Sequence, residues 1–310
     1  MASPIFIVGA GAVGLHLAAR LSAVAPVTLV ARSGRATSLA RDGFEISGLD
    51  PATYKNIPTR DLRGPFPPDA DILVAVKSAQ LAGILPELRL RPGQPLGLCH
   101  NGLGVSALAR SLVPHILPVL VAGWTGALLS APLVVRVTHL SSLELAADAP
   151  AVHSTRDRFA RLFASLGFPV RVAPSIAAAE WRAALWHLAV AAPCAALGEK
   201  NGAVLDSPPL QAVARAVLDE ARAVAAAEGI TLDDADIEGV FQQTKVARDV
   251  RGGLLHDLAR GVATDMPFLN AEVARRAAAG GQPALVNAVV ARMVEHLERR
   301  PRDADGKLAT

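Results

Sequence analysis

The chain has 310 residues, room for one long or two ordinary domains, and is 51% hydrophobic but only 4% aromatic, with a formal net charge of +3. Its core is therefore built mainly from Ala, Val and Leu. No basic block with interleaved aromatics appears, so nucleic acid is excluded as a partner, while a small arginine excess suits anionic small ligands.

The opening MASPIFIVGAGAVG has no basic region ahead of its apolar run, which argues against a secretion signal and for a cytoplasmic protein. PIFIVGAGAVGLHLAARL reads as a short buried strand, a glycine turn and a helix. Gly9, Gly11 and Gly14 stand in G-x-G-x-x-G spacing, and Ala12 opens the helix. Such a turn lets a pyrophosphate approach the backbone and rest on the free N–H groups of the helix start. VTLVAR supplies the second strand. An acid some twenty residues beyond the turn would hold an NAD ribose. Here Arg32, Ser33 and Arg35 occupy that place, and a guanidinium pairs with a 2′-phosphate that a carboxylate would repel. NADPH is the expected cofactor.

DADILVAVKSAQ is a further buried strand that leaves Lys77, Ser78 and Gln80 past its carboxyl end, and PLGLCHNGLG is another ending at His100, Asn101 and Gly102. Ligands of doubly wound sheets gather at these strand tips, so Lys77 and Asn101 are candidates for the nicotinamide and substrate region. LVPHILPVLVAGWTGALLSAPLVV is long enough to suggest a membrane span. However, Pro114, Pro118, Gly123 and Pro132 interrupt it, so buried strands with turns are expected and no membrane partner. Cys99 and Cys194 lie in apolar runs without disulfide or zinc spacing, so buried thiols and no metal are expected.

From about Ser175 the pattern becomes helical. EWRAALWHLAVAAPCAALGEKNG reads as a helix apolar on nearly every face, entering an Asn-Gly turn. PLQAVARAVLDEARAVAAAEG, NAEVARRAAAGG and PALVNAVVARMVEHLERR are further amphipathic helices. The expected fold is α/β, an N-terminal Rossmann-type parallel sheet followed by an all-helical C-terminal domain. The expected domains are 1–174 for the dinucleotide, 175–300 for substrate and dimerisation, and a loose polar tail over 301–310.

In order and spacing, the glycine turn, VAVKSAQ, HNGLG, the EWR helix entry, the KNG turn and HDLARGVATDMPFLN resemble the ketopantoate reductase family. The resemblance implies reduction of a 2-oxo acid by NADPH. It also implies that Lys77 and Asn101 serve cofactor and substrate, that Asn201 binds substrate, that Asp265 replaces a glutamate that helps hold the substrate, and that Arg32 binds the 2′-phosphate. In this family a lysine near the start of the apolar helix protonates the nascent alkoxide. Here that place is Ala183, or Ala184 with a one-residue slip. Asparagines that come next at one-turn intervals are replaced in the region of Leu188, Ala191 and Ala192, and a serine pair is Gly252 and Gly253.

Three readings compete. Another residue donates the proton, His187 one turn beyond Ala183 or Lys77 at its strand tip. The substrate is bulkier or less polar than ketopantoate, or is an imine that arrives already protonated, with Arg251 or Lys77 meeting its carboxylate. The protein only binds NADPH and reports it. The residues favour the second reading, an enzyme acting on a small molecule and working as a homodimer, with a modest role for Lys77 or His187.

Overall fold

The computed structural model describes residues 3–300; the expected tail over 301–310 lies outside the described residues. The chain divides into two compact units between Ala179 and Glu180. A helix that starts at Ile176 runs through this point, so the composition change near 175 marks its first turn.

In the first unit, β1 (Ile5–Val8) leads into α1 (Ala12–Leu21), and β2 (Val27–Val30) into α2 (Ser33–Asp42). β3 (Phe44–Gly48), β4 (Ala52–Tyr54) and β5 (Thr59–Arg60) precede β6 (Asp71–Val74), α3 (Leu81–Ile84) and β7 (Pro95–Cys99). Then come α4 (Val105–Leu112), β8 (Leu117–Ala122), β9 (Ala127–Ala131), β10 (Val134–Val137), β11 (Leu143–Ala146), α5 (His153–Ser165) and β12 (Val170–Val172). The main sheet has the order β12-β11-β8-β7-β6-β1-β2-β5. Its strands from β8 to β5 are parallel, and β11 is antiparallel to β8. Buried on both faces, β1 and, after Asp71, β6 carry apolar runs rather than alternation.

A second sheet, β4-β3-β10-β9, was not foreshadowed by the sequence. Its Phe44, Ile46, Val135 and Val137 join one core with Leu15, Leu17 and Leu21, so α1 is buried along most of its length. The long apolar stretch after Val113 is thus shared by two sheets, β8 in one and β9 with β10 in the other. Among the described residues, no helix is long and apolar enough to cross a membrane.

The second unit is helical: α6 (Ile176–Trp186), α7 (Ala192–Leu197), α8 (Ala203–Asp206), α9 (Pro208–Ala227), α10 (Asp234–Val246), α11 (Gly253–Arg260), α12 (Asn270–Ala279) and α13 (Leu285–Arg299). The expected long apolar helix that begins with EWR and enters the Asn201–Gly202 turn is corrected in one respect. A π turn, His187–Ala191, joins α6 to α7, with the Ala192 N–H donating to the His187 carbonyl. Pro193 explains it. Proline has no N–H and its ring clashes with the carbonyl four residues back, so one wider turn relieves the helix. The Leu188 carbonyl, whose partner five residues on would be Pro193, instead accepts from Asn270 Nδ2 at 3.2 Å. Asn270 Nδ2 also donates to Asn287 Oδ1 at 3.0 Å, and Asn287 Nδ2 reaches the Val217 carbonyl and Glu220.

On one face of α13, Leu285, Val289 and Met293 are exposed and border a groove of about 420 Å³ with Arg292 and His296.

His16 on α1 is 3% exposed against Phe168, and burial pushes its imidazole down to about 4, with Arg20 adding to the shift and Asp50 opposing it. The unfolded chain takes up this proton near 6.5, the folded chain only near 4. Stability is then flat above pH 6.5 and falls as pH drops through that window, by up to about 3 kcal/mol. Thermal unfolding of wild type and His16→Leu between about pH 8 and pH 4 should show a shallower acid loss in the variant.

Candidate active site

The glycine turn is set by close backbone contacts. Gly9 has φ +112°, and a Cβ there would lie 2.6 Å from the Ala75 carbonyl oxygen; a Cβ on Gly14 would collide with the Gly9 carbonyl. Both glycines are required by the protein itself. Gly11 differs: a Cβ there would meet no protein atom within 4 Å. Gly11 is also the N-cap of α1 and offers no side-chain cap, so the first N–H groups of the helix, from Ala12 onward, lack the usual side-chain oxygen. An open glycine at an uncapped helix start fits a dinucleotide pyrophosphate.

Arg35 braces this turn from the next helix, its Nη2 donating to the Ala10 carbonyl at 3.1 Å. Arg32 is the extended N-cap of α2, and it and Ser33 are exposed at the tip of β2. Lys77 is half-buried in extended backbone just past β6, and the Gln80 N–H closes onto its carbonyl.

Asn101, just past β7, has its side chain turned to the backbone beyond β8. Its Oδ1 accepts from the Gly123 and Trp124 N–H groups, both at 2.8 Å, and its Nδ2 donates to the Trp124 carbonyl at 2.7 Å. The tips of β7 and β8 are thereby locked together. Thr125 continues the lock. Buried Ser141 accepts from the Thr125 N–H at 2.7 Å and donates to the Thr125 carbonyl at 2.5 Å. The Thr125 hydroxyl lies 3.2 Å from His139 Nε2, and His139 Nδ1 lies 3.0 Å from Thr138 Oγ1. Sequence pattern did not single out Thr125, His139 and Ser141; their only signal is a set of hydroxyl-bearing residues around a histidine in VTHLSS.

In the helical unit, Asn201 is 1% exposed, and its Nδ2 donates to the Ala247 carbonyl at 3.1 Å. Its Oδ1 has no partner among the described residues. That oxygen lies 3.3 Å from where a Gly252 Cβ would stand, and Ala191 Cβ lies 3.7 Å from the same point. Asn201, Gly252 and Ala191 thus form one cluster. Burial leaves Ala183 8% exposed and Ala184 fully covered. His187, half-buried, opens the π turn beside the Trp186 ring, so the residues beyond it are rotated by one position relative to a regular helix. Arg251 is exposed. Asp265 is half-buried at the entry of a short turn, Met266–Phe268, next to Thr264, whose N–H is held by Glu298 at 2.9 Å. Cys99 and Cys194 are free and buried; burial drives both thiols up, Cys194 to about 12. Among the described residues no group of His, Cys, Asp or Glu could hold a metal.

Residues 5–149 match the ketopantoate reductase PanE/ApbA family, and residues 175–298 match its C-terminal domain. The chain belongs to the ketopantoate reductase family. Among curated relatives it is 25% identical over 297 residues to a 2-dehydropantoate 2-reductase of Archaeoglobus fulgidus, covering 94% of this chain and 97% of that protein. Among solved structures, a PanE/ApbA family ketopantoate reductase of Ralstonia eutropha JMP134 superposes with a TM-score of 0.81 at 24% identity, over 95% of this chain and 98% of that one. A D-mandelate dehydrogenase holding NADH and anilino(oxo)acetate gives the same TM-score at 18% identity, again over 95% and 98%. These likenesses give the fold, and family membership gives a nicotinamide-dependent oxidoreductase.

Gly11 and Gly14 should separate on substitution. Gly14→Ala should lower the melting temperature by several degrees. Gly11→Ala should leave it nearly unchanged while raising the NADPH dissociation constant at least about tenfold, read from dihydronicotinamide fluorescence.

Proposed function

We propose that the protein is an NADPH-dependent reductase of a small 2-oxo acid, or of a related C=N compound, bulkier or less polar than ketopantoate. The observation that carries the reading is the open Gly11 at the uncapped start of α1, in a chain of this family. Gly9, Gly11, Ala12 and Gly14 cradle the pyrophosphate. Arg32 and Ser33 take the 2′-phosphate, since no acid stands there and the N-terminal N–H groups of α2 add to the positive field. The cofactor supplies a hydride.

Lys77, at the tip of β6, holds the substrate carboxylate or the reacting oxygen as a point charge. Asn101 acts through the lock it places on the β7 and β8 tips. On the helical unit, Asn201, Arg251 and Asp265 are the substrate- and ribose-binding residues, with Ala183 on α6 and His187 at the start of the π turn that follows it. The cluster of Asn201, Gly252 and Ala191 supports a less polar substrate, because one buried acceptor remains where serine and asparagine would add polar groups. The fold accommodates a ring-bearing 2-oxo acid derivative in the D-mandelate dehydrogenase. The exposed Leu285, Val289 and Met293, spaced by four on α13, support a homodimer.

The test is NADPH and NADH oxidation with ketopantoate, bulkier 2-oxo acids and cyclic imines. NADPH should be consumed with a bulkier compound at roughly 1–10³ per second, and ketopantoate should turn over more slowly. Arg32→Ala should raise KM for NADPH about tenfold and leave NADH unaffected. Faster turnover of ketopantoate would overturn the substrate assignment, and absence of NADPH binding would overturn the reductase reading itself.

A further inference from the structure

We infer that Asn201 is a specificity-determining acceptor beside the bare side of Gly252, and that the substrate brings an N–H or O–H donor to it. The inference rests on the reductase reading above and narrows its substrate class to compounds that carry such a donor.

The amide of Asn201 has a fixed orientation. Its Nδ2 donates to the Ala247 carbonyl at 3.1 Å. Turned over, the amide would set its oxygen against that carbonyl, acceptor against acceptor, so Oδ1 is the atom that faces the other way. The backbone is held as well. The Asn201 N–H donates to the Val250 carbonyl at 3.0 Å, its carbonyl accepts from the Cys194 thiol at 3.9 Å, and the Gly202 N–H closes onto the Arg248 carbonyl at 2.9 Å. Asn201 is 1% exposed, and Oδ1 has no hydrogen-bond partner among the described residues. An unpaired buried acceptor costs more than one hydrogen bond is worth net, so a donor that arrives from outside is held firmly.

The surroundings decide what kind of group can arrive. A Cβ on Gly252 would lie 3.3 Å from Oδ1, 3.7 Å from Ala191 Cβ and 3.9 Å from Ala191 Cα. The bare side of Gly252 thus faces one polar atom and the apolar end of the π turn. Arg251 is exposed and Gly253 half-buried, so the surface lies one residue away on either side. Gly252 is also the N-cap of α11 and supplies no side-chain cap. The N–H groups of that helix start, with Arg251 beside them, suit a carboxylate. Asn201 Oδ1 does not, because it repels a carboxylate or carbonyl oxygen and attracts a hydroxyl or a protonated nitrogen. The two ends of a substrate are thereby sorted, acid toward the α11 start and donor toward Asn201.

Matched substrates test the inference. A hydroxylated 2-oxo acid is compared with its methyl ether, and a protonated cyclic imine with its N-methyl iminium, which has no N–H. For each, kcat/KM with NADPH is measured in wild type, Gly252→Ser and Asn201→Leu, beside NADPH affinity and melting temperature. Wild type should prefer the donor-bearing member of at least one pair by about tenfold or more, and the pair that responds tells O–H from N–H. In Gly252→Ser the new hydroxyl donates to Oδ1 in the substrate's place, and the preference should fall below about threefold. A steric effect acts the other way, since a narrower space favours the smaller, donor-bearing member. Asn201→Leu removes the acceptor at nearly constant volume and should also lose the preference, which keeps the test decisive if Gly252→Ser fails to fold. No preference in wild type for either pair overturns the inference, and Oδ1 is then held by water alone. A preference that persists or grows in Gly252→Ser overturns it in favour of size. Both results leave the reductase reading standing, whereas wild type without turnover on any 2-oxo acid or imine overturns both.

Discussion

A helix covered on nearly every side has no water to fall back on when one of its hydrogen bonds is lost, and the helical unit is arranged around that fact. Pro193 removes one donor from the helix that begins at Ile176. The wider turn over His187–Ala191 accommodates the ring but leaves the Leu188 carbonyl to be satisfied from outside. Asn270 satisfies it, Asn287 holds Asn270, and Glu220 accepts from both the side chain and the backbone of Asn287. Each bond contributes about 1 kcal/mol net, but leaving any of these buried groups unpaired costs more. Helices α9, α12 and α13 are thereby fixed to the helix carrying Ala183 and His187. One proline determines which residues share a face there.

The first unit solves the corresponding problem at its strand tips. Loops past β7 and β8 expose backbone groups that no strand pairs, and here they are paired by side chains: Asn101 for residues 123 and 124, Ser141 for Thr125. At the opposite extreme stands the α1 start, where Gly11 has no side-chain cap and open space where a Cβ would stand. The unit places polar side chains on the tips that must hold still and leaves uncapped the helix start that a charged ligand can complete.

Much of this was legible in the sequence, for physical reasons that can be named. Strand, glycine turn and helix over residues 5–21 are local: continuous burial gives apolar runs, and glycine spacing reports a backbone approach. Arg32 and Ser33 could be placed because the second strand fixes where its tip must be. The β3, β4, β9 and β10 sheet could not, since short strands such as Ala52–Tyr54 carry too few residues for a period, and β3 pairs with β10 across some ninety positions of sequence. The π turn was hidden because apolar residues on every face leave no stripe whose rotation could be followed, although Pro193 was its local sign. Asn101 was picked out for its loop, but not the backbone it holds. Thr125 and His139 escaped notice because they meet only through the β9–β10 excursion that separates them.

The two cysteines add something practical. Each unit contains one, Cys99 at the end of β7 and Cys194 within α7, both buried and with burial pressing their thiols away from ionisation. A thiolate is the reactive form, so the folded chain is nearly inert to alkylating reagents until a unit opens. The unmodified protein therefore carries one clock per unit. The labelling time of each cysteine, resolved by peptide mass, reports the opening free energy of its own surroundings, and a ligand that steadies only the glycine-turn unit would slow one clock and leave the other running.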